Sequence, residues 1–452
     1  MTKERAGRVR ATRGALLGSA LALVAATAAP APAAEQTEKA AASADETLLV
    51  SVGRGGEPAN GPSERASISG DGRLVVFASH ASNLVSGDRN DCSDIFLRDL
   101  TESRTTRVNT GMHGGESNGC TSIDPIISNN GRYVVYAADS TNLVPGTRGG
   151  KSQIFRADLR TGETVLVSRD KDGKEGDNDS MRPTVSADGR HVAFTTAATN
   201  ILGGDTPDTW DSVVRDMETG TVVRTSRSSD GTPGNAATDG TQISADGRFI
   251  TLFSNATNLV AGDTNGKVDE FLHDVRTGRT TRLSVSAKGV ESDQITIGGT
   301  ISDDNRYVVL NSHATNLTAE SPSTGQNHAY LQDLQEGTLS LLDKGADGVP
   351  APGGTFWASI SGDSKHVPMS SAGPNLVSGD TNKVRDIFVA DLPKGGLRRI
   401  SVGDGGQQAD AASYFPDSDF TARSVVFASY ATNLVAGDTN GQPDIFVRRP
   451  QS

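Results

Sequence analysis

Helical periodicity, basic charge, clustered histidine and long apolar runs are all missing or scarce in this 452-residue sequence. Beyond the N-terminal region no segment carries the 3.6-residue apolar spacing of an amphipathic helix. With 51 glycines and 5% aromatic residues, the composition is that of a β protein. Lys and Arg number 43 against 55 Asp and Glu, a formal net charge of −12. Nucleic acid and anionic lipid both demand clustered cations, so the charge balance argues against either as a partner. The seven histidines are spread out with no H-x-x-x-H spacing, which leaves a transition-metal centre without support.

One apolar run exists. "GALLGSALALVAATAA" follows Lys3, Arg5, Arg8, Arg10 and Arg13 and ends in the small-residue segment "PAPAA". It falls short of the ~20 residues of a membrane span. The three regions are those of a secretory signal over residues 1–34, cleaved after Ala33 or Ala34. No Arg-Arg pair points to the twin-arginine route, and no cysteine follows the run to carry a lipid. The expectation is a Sec-type exported, secreted protein with no membrane span in the mature chain. Removal of residues 1–34 takes away five basic groups and Glu4, leaving a charge of about −16. Residues 35–46, "EQTEKAAASADE", read as a disordered leader.

What is present in abundance is repetition. "NLV" or a near relative begins at Asn83, Asn142, Asn200, Asn258, Asn316, Asn375 and Asn433, every 58 or 59 residues. Each copy reads as four short strands. In the first, "RASIS" is strand a, "GDG" a tight turn, "RLVVFASH" strand b, "DIFLRDL" strand c and "RTTRVNT" strand d. A basic residue precedes strand b in every copy: Arg73, Arg132, Arg190, Arg248, Arg306, Lys365 and Arg423. Four-stranded antiparallel units repeated seven times predict an all-β, seven-bladed β-propeller over residues 47–452. The last copy stops after "DIFVRR", and "TLLVSVG" at Thr47 matches the missing strand d, as in "LRRISVG" of copy six. An N-terminal strand that completes blade seven would remove two exposed sheet edges.

"RPTVSADGRHVAFTT" (182–196), with strands of the "DIFVADL" type, resembles the WD40-like propeller repeat of the TolB-like family, and the resemblance covers residues 47–449. It implies a propeller, and it implies binding more often than catalysis, although some relatives carry catalytic domains. TolB itself has an additional N-terminal domain and works in envelope translocation; here only residues 35–46 precede the first strand.

The b–c loops and d–a connections share one face of such a disc. In four b–c loops the pattern D-x-N-x-x-x-D is complete: Asp88/Asn90/Asp94, Asp263/Asn265/Asp269, Asp380/Asn382/Asp386 and Asp438/Asn440/Asp444. Copy three keeps Asp205 and Asp211 around Pro207; copy two has Thr147, Gly149 and Gln153; copy five has Ser321, Ser323 and His328. The trio changes together while the "NLV" Asn stays, so the constant Asn reads as a bend that bonds its own backbone. The trio admits two readings: a weak calcium site that stiffens loops, or turn chemistry alone. Cys92 and Cys120 fall on this same face in neighbouring blades, which predicts a disulfide in an oxidising compartment, two free thiols being the alternative. "GESNG" around Ser117 matches a hydrolase pattern by chance, because it lies in a glycine-rich connection.

The entrance of strand a carries the candidate ligand site. The residue four before the strand-ending Ser (Asp419 in copy seven) is Arg65, Asp124, Arg182, Gly240, Gly298, Trp357 and Phe415 in turn. If strand a is innermost, these positions ring the channel mouth, with Trp357, Phe415 and Arg65 adjacent across the closure. Otherwise they pack between blades. The chain shows no nucleophile elbow and no pair of catalytic carboxylates distinct from the repeat, so no catalytic residue is expected. The reading is a monomeric, non-enzymatic propeller that binds a protein or a carbohydrate; the alternative is a polysaccharide lyase or hydrolase acting at the channel mouth.

Overall fold

The computed structural model describes residues 45–450 apart from 121, 203–208 and 394–395. The export signal of residues 1–34 and nearly all of the leader therefore lie outside the described residues. So does Asp205 of the third loop. Among the described residues there are 28 strands and no helix.

Seven antiparallel sheets of four strands make seven blades. Blade one runs Ser63–Ile68 (a), Leu74–Ser79 (b), Asp94–Asp99 (c) and Arg104–Arg107 (d), hydrogen-bonded in that order. Blades two to six repeat it. Blade seven takes a (Ser413–Ser418), b (Val425–Ser429) and c (Asp444–Arg449) from the C-terminal end and its outer strand, Glu46–Leu49, from the N-terminal end. Leu48 lies opposite Val447 and Leu49 opposite Phe446. The ring is closed as the repeat predicts.

Strand b is apolar along most of its length because it is covered on both faces. The core consists of seven clusters, one at each seam between blades. The seam between blades seven and one buries Val50, Phe77, Phe96, Val426 and Val447 together. Apolar burial thus lies between blades, which leaves the axis to other residues.

In five blades the basic residue before strand b pairs with the aspartate that ends strand c. Arg73 meets Asp99, Arg132 Asp158, Arg190 Asp216, Arg248 Asp274 and Arg306 Asp333, each at 2.5–2.7 Å. The same aspartate accepts backbone amides of the c–d turn, such as those of Thr101 and Glu102 on Asp99. Guanidinium contact holds the Asp158 and Asp274 carboxyls down at about 2.

Candidate functional site

Every inner strand is bulged where it enters the disc, with register shifts at Glu64/Ser67, Ile123/Ile126, Met181/Thr184, Asp239/Thr241, Ile297/Thr300, Thr355/Trp357 and Tyr414/Asp417. In six blades the bulge holds one residue at positive φ. Gly240 and Gly298 take it freely, but Arg65 (55°), Asp124 (54°), Arg182 (52°) and Phe415 (51°) do so with full side chains. That conformation costs a non-glycine residue roughly 1–2 kcal/mol. A bulge re-aims the side chain it carries, and here it turns them toward the axis.

The contacts prove the convergence. The Arg65 guanidinium lies 4.1 Å from the Phe415 ring centre and 5.5 Å from that of Trp357. Arg65 is in blade one and Trp357 in blade six, so their side chains meet across the intervening blade. Trp357 and Phe415 form an edge-to-face pair at 5.3 Å, and Arg65 Nε lies 3.3 Å from Asp124 Oδ1. Four of the five predicted residues therefore form one cluster. Arg182 stands apart, paired with Asp239 at 3.1 Å.

The structure adds residues that sequence comparison passed over. Phe356 and Tyr414 precede the mouth positions of blades six and seven, and Arg385 lies between them, 3.7 Å from the Phe356 ring centre and 5.0 Å from that of Tyr414. No carboxylate pairs with Arg385 among the described residues. Tyr430, just after strand b of blade seven, meets Tyr414 edge-on. Phe356, Trp357 and Tyr430 are each more than 40% exposed. The signal was present in the doublets "FW" and "YF" of neighbouring copies and in Arg385, which stands where other copies have Ser, Trp, Val, Asn or Pro.

At the far end of the axis, Asn129 Nδ2 donates to Asp303 Oδ2 at 3.0 Å, joining blades two and five. Gly362 is needed there, since a Cβ would lie 2.4 Å from the Phe420 ring. Burial raises the Asp303 carboxyl to about 6. The channel is thus bridged at one end and lined by aromatic and basic side chains at the other.

In the b–c loops, the amide oxygen of the pattern's Asn accepts the backbone N–H two residues on: Cys92 from Asn90, Lys267 from Asn265, Val384 from Asn382 and Gln442 from Asn440. Its nitrogen donates to the carbonyl of the next connection, at Ser117, Ser292, Ala409 and Ala59 respectively. The carboxylates of three loops face a strand-d arginine. Arg107 meets Asp94 (3.1 Å) and Asp88 (4.0 Å), Arg282 meets Asp263 (3.4 Å) and Asp269 (3.8 Å), and Arg399 meets Asp380 (3.8 Å) and Asp386 (3.9 Å). The "NLV" Asn behaves differently from the expectation. It bonds the preceding d–a connection instead of its own bend, as with Asn142 Nδ2 to Glu116 O and Asn118 N to Asn142 Oδ1. The reason is proximity: the two loops share a face, and the connection offers unpaired backbone groups.

Cys92 and Cys120 form a disulfide with Cα atoms 4.6 Å apart. Ser117 is buried against Ser140, on a connection and not on an elbow.

No family model and no curated protein matches the chain. Solved structures do. Oligogalacturonate lyase from Vibrio parahaemolyticus is 12% identical over 90% of this chain and 97% of that one, with a TM-score of 0.54. The β-propeller domain of the Trilobed protease from Pyrococcus furiosus is 13% identical over 86% and 93%, with a TM-score of 0.52. TolB from Acinetobacter baumannii is 15% identical over 73% of this chain and 64% of that one, with a TM-score of 0.44. The likeness is one of fold. That protease's propeller has an open velcro topology, whereas the present ring is closed by its N-terminal strand.

Proposed function

We propose that this chain is an exported, non-enzymatic propeller that binds an acidic oligosaccharide at the mouth of its channel. One observation carries the reading: Phe356, Trp357, Tyr414, Phe415 and Tyr430 form a continuous arc with Arg65 and Arg385 held against their rings. Exposed aromatic faces stack on the apolar faces of sugar rings, and guanidinium groups pair with carboxylates in a planar, two-bonded geometry. Arg65 already has Asp124, so Arg385 is the group that selects negative charge. The signal-like residues 1–34 and the disulfide support export. A propeller of the same fold is an oligogalacturonate lyase, so the scaffold is compatible with an acidic sugar chain. Glu270, a carboxylate that breaks the repeat in strand c, is buried and bonds the Gly299 amide of blade five, and Asp124, the carboxylate inside the cluster, is paired with Arg65.

Titration of the mature protein with neutral and uronate oligosaccharides, followed by calorimetry, tests this. Saturable binding of the uronates is expected, lost at least tenfold in Trp357→Ala, with Arg385→Ala abolishing the preference for charged over neutral chains. Equal binding of both classes, or none, overturns the ligand assignment. Appearance of unsaturated or shortened products would replace binding by catalysis.

A further inference from the structure

The seven blades form an internal comparison of carboxylates with their counter-ions. The strand-d residue that pairs with the central residue of strand c is Arg107, Arg224, Arg282 and Arg399 in blades one, three, four and six. Each of those blades carries the loop carboxylates. In blades two and five the same register holds Leu166 and Leu341, and the carboxylates are replaced by Thr147 and Gln153, or by Ser321 and His328. Arginine and carboxylates come and go together. The guanidinium acts as a built-in cation for two buried acids.

Blade seven breaks this rule. It keeps Asp438 and Asp444, but the strand-d residue opposite Phe446 is Leu49. Glu291, which backs Arg282 at 2.6 Å, is replaced at the matching bridge by Pro58. The rest of the loop is intact: Ser51 Oγ donates to Asp444 Oδ1 at 2.5 Å and Asn440 Nδ2 to Asp444 Oδ2 at 2.6 Å. Asp444 is fully buried and Asp438 is 4% exposed, and the Asp438 Oδ1 atom is buried with no hydrogen-bond partner. No basic side chain pairs with either among the described residues. Two buried acids without a cation are costly, and the same pocket elsewhere is built around one.

We propose that Asp438 and Asp444 bind a calcium ion, which does for blade seven what arginine does for blades one, four and six. Two carboxylates supply part of the 6–8 oxygens calcium takes, and main-chain carbonyls and water supply the rest, for an affinity of roughly 10⁻⁴–10⁻³ M. The site lies in the blade where the two ends of the chain meet. Ser51 comes from the segment following the N-terminal strand, and Ala59 of the first connection accepts Asn440. The inference is independent of the channel mouth.

Calcium titration of the mature protein by calorimetry, with thermal melts in chelator and in 10 mM calcium, provides the test. One ion per chain and a higher midpoint in calcium are expected. Asp438→Asn should lose both. Leu49→Arg, which installs the arginine of the other blades, should also abolish binding while the protein stays folded and its midpoint becomes indifferent to calcium. No saturable binding overturns the proposal. So does binding that survives Leu49→Arg, or a stoichiometry of several ions, which would place calcium in the arginine-filled loops as well.

Discussion

Glu270 stands in strand c of blade four where the other copies have Ile95, Ile154, Ser212, Ala329, Ile387 and Ile445. Its Oε1 accepts the Gly299 amide of blade five at 3.1 Å, and a Cβ on Gly299 would lie 2.6 Å from that oxygen. Oε2 is buried without a hydrogen-bond partner. Burial raises the carboxyl from its ordinary value to about 8. The folded chain therefore keeps a proton that the unfolded chain releases above about pH 4.5. Stability from this group is complete below that pH and is lost as pH rises through 8. Glu270→Gln should remove the loss and gain a few kcal/mol over the natural chain at pH 8, with little difference at pH 4. Parallel midpoints for the two proteins from pH 4 to 8 would contradict this.

At the scale of elements, the loop face is held by lacing between consecutive blades. The Cys92–Cys120 bridge joins the b–c loop of blade one to the connection that enters blade two. It spans a sequence separation of 28, for which chain-entropy arguments give about 3–4 kcal/mol. Reduction, or Cys92→Ser with Cys120→Ser, should lower the unfolding midpoint accordingly, and denatured unreduced protein should present no free thiol to alkylation. Two alkylated thiols would contradict the bridge. The strands themselves were legible because strand b is covered on both faces and turns by Asp-Gly at its start. The bulge in strand a was not legible. Its left-handed residue is glycine in blades four and five but Arg, Asp or Phe in others, so local propensity points away from it, and packing around the axis decides it.

At the scale of the whole molecule, closure is the feature that can fail as a unit. Strand Glu46–Leu49 adds main-chain bonds to Asp444–Arg449, and Thr47 Oγ1 donates to Val402 O at 2.7 Å, tying the closing strand to blade six. Arg448 bonds Thr47 and Asp45. Val50 is buried in the seam with blade one. Removing residues up to Gly53 should expose the edge of blade seven, cost several kcal/mol in lost burial alone, and promote association through the open strand. Calorimetry and light scattering check both outcomes; an unchanged midpoint and a monodisperse truncated protein would mean that the strand does not hold the ring.

The amino-acid sequence by itself determined the blade count, the four-strand unit and the displaced closing strand. Period, alternation and turn residues are local and repeat seven times, so each copy corroborates the others. It also placed Arg65, Asp124, Trp357 and Phe415 at one ring position. Only the tertiary structure decided that their side chains meet, that Phe356, Tyr414 and Arg385 join them, and that three of the complete loop patterns face an arginine while the fourth faces a leucine. Those facts depend on bulges and on strands some 20 to 400 residues apart in the chain. Contact of that kind is a property of the closed ring, and no single repeat contains it.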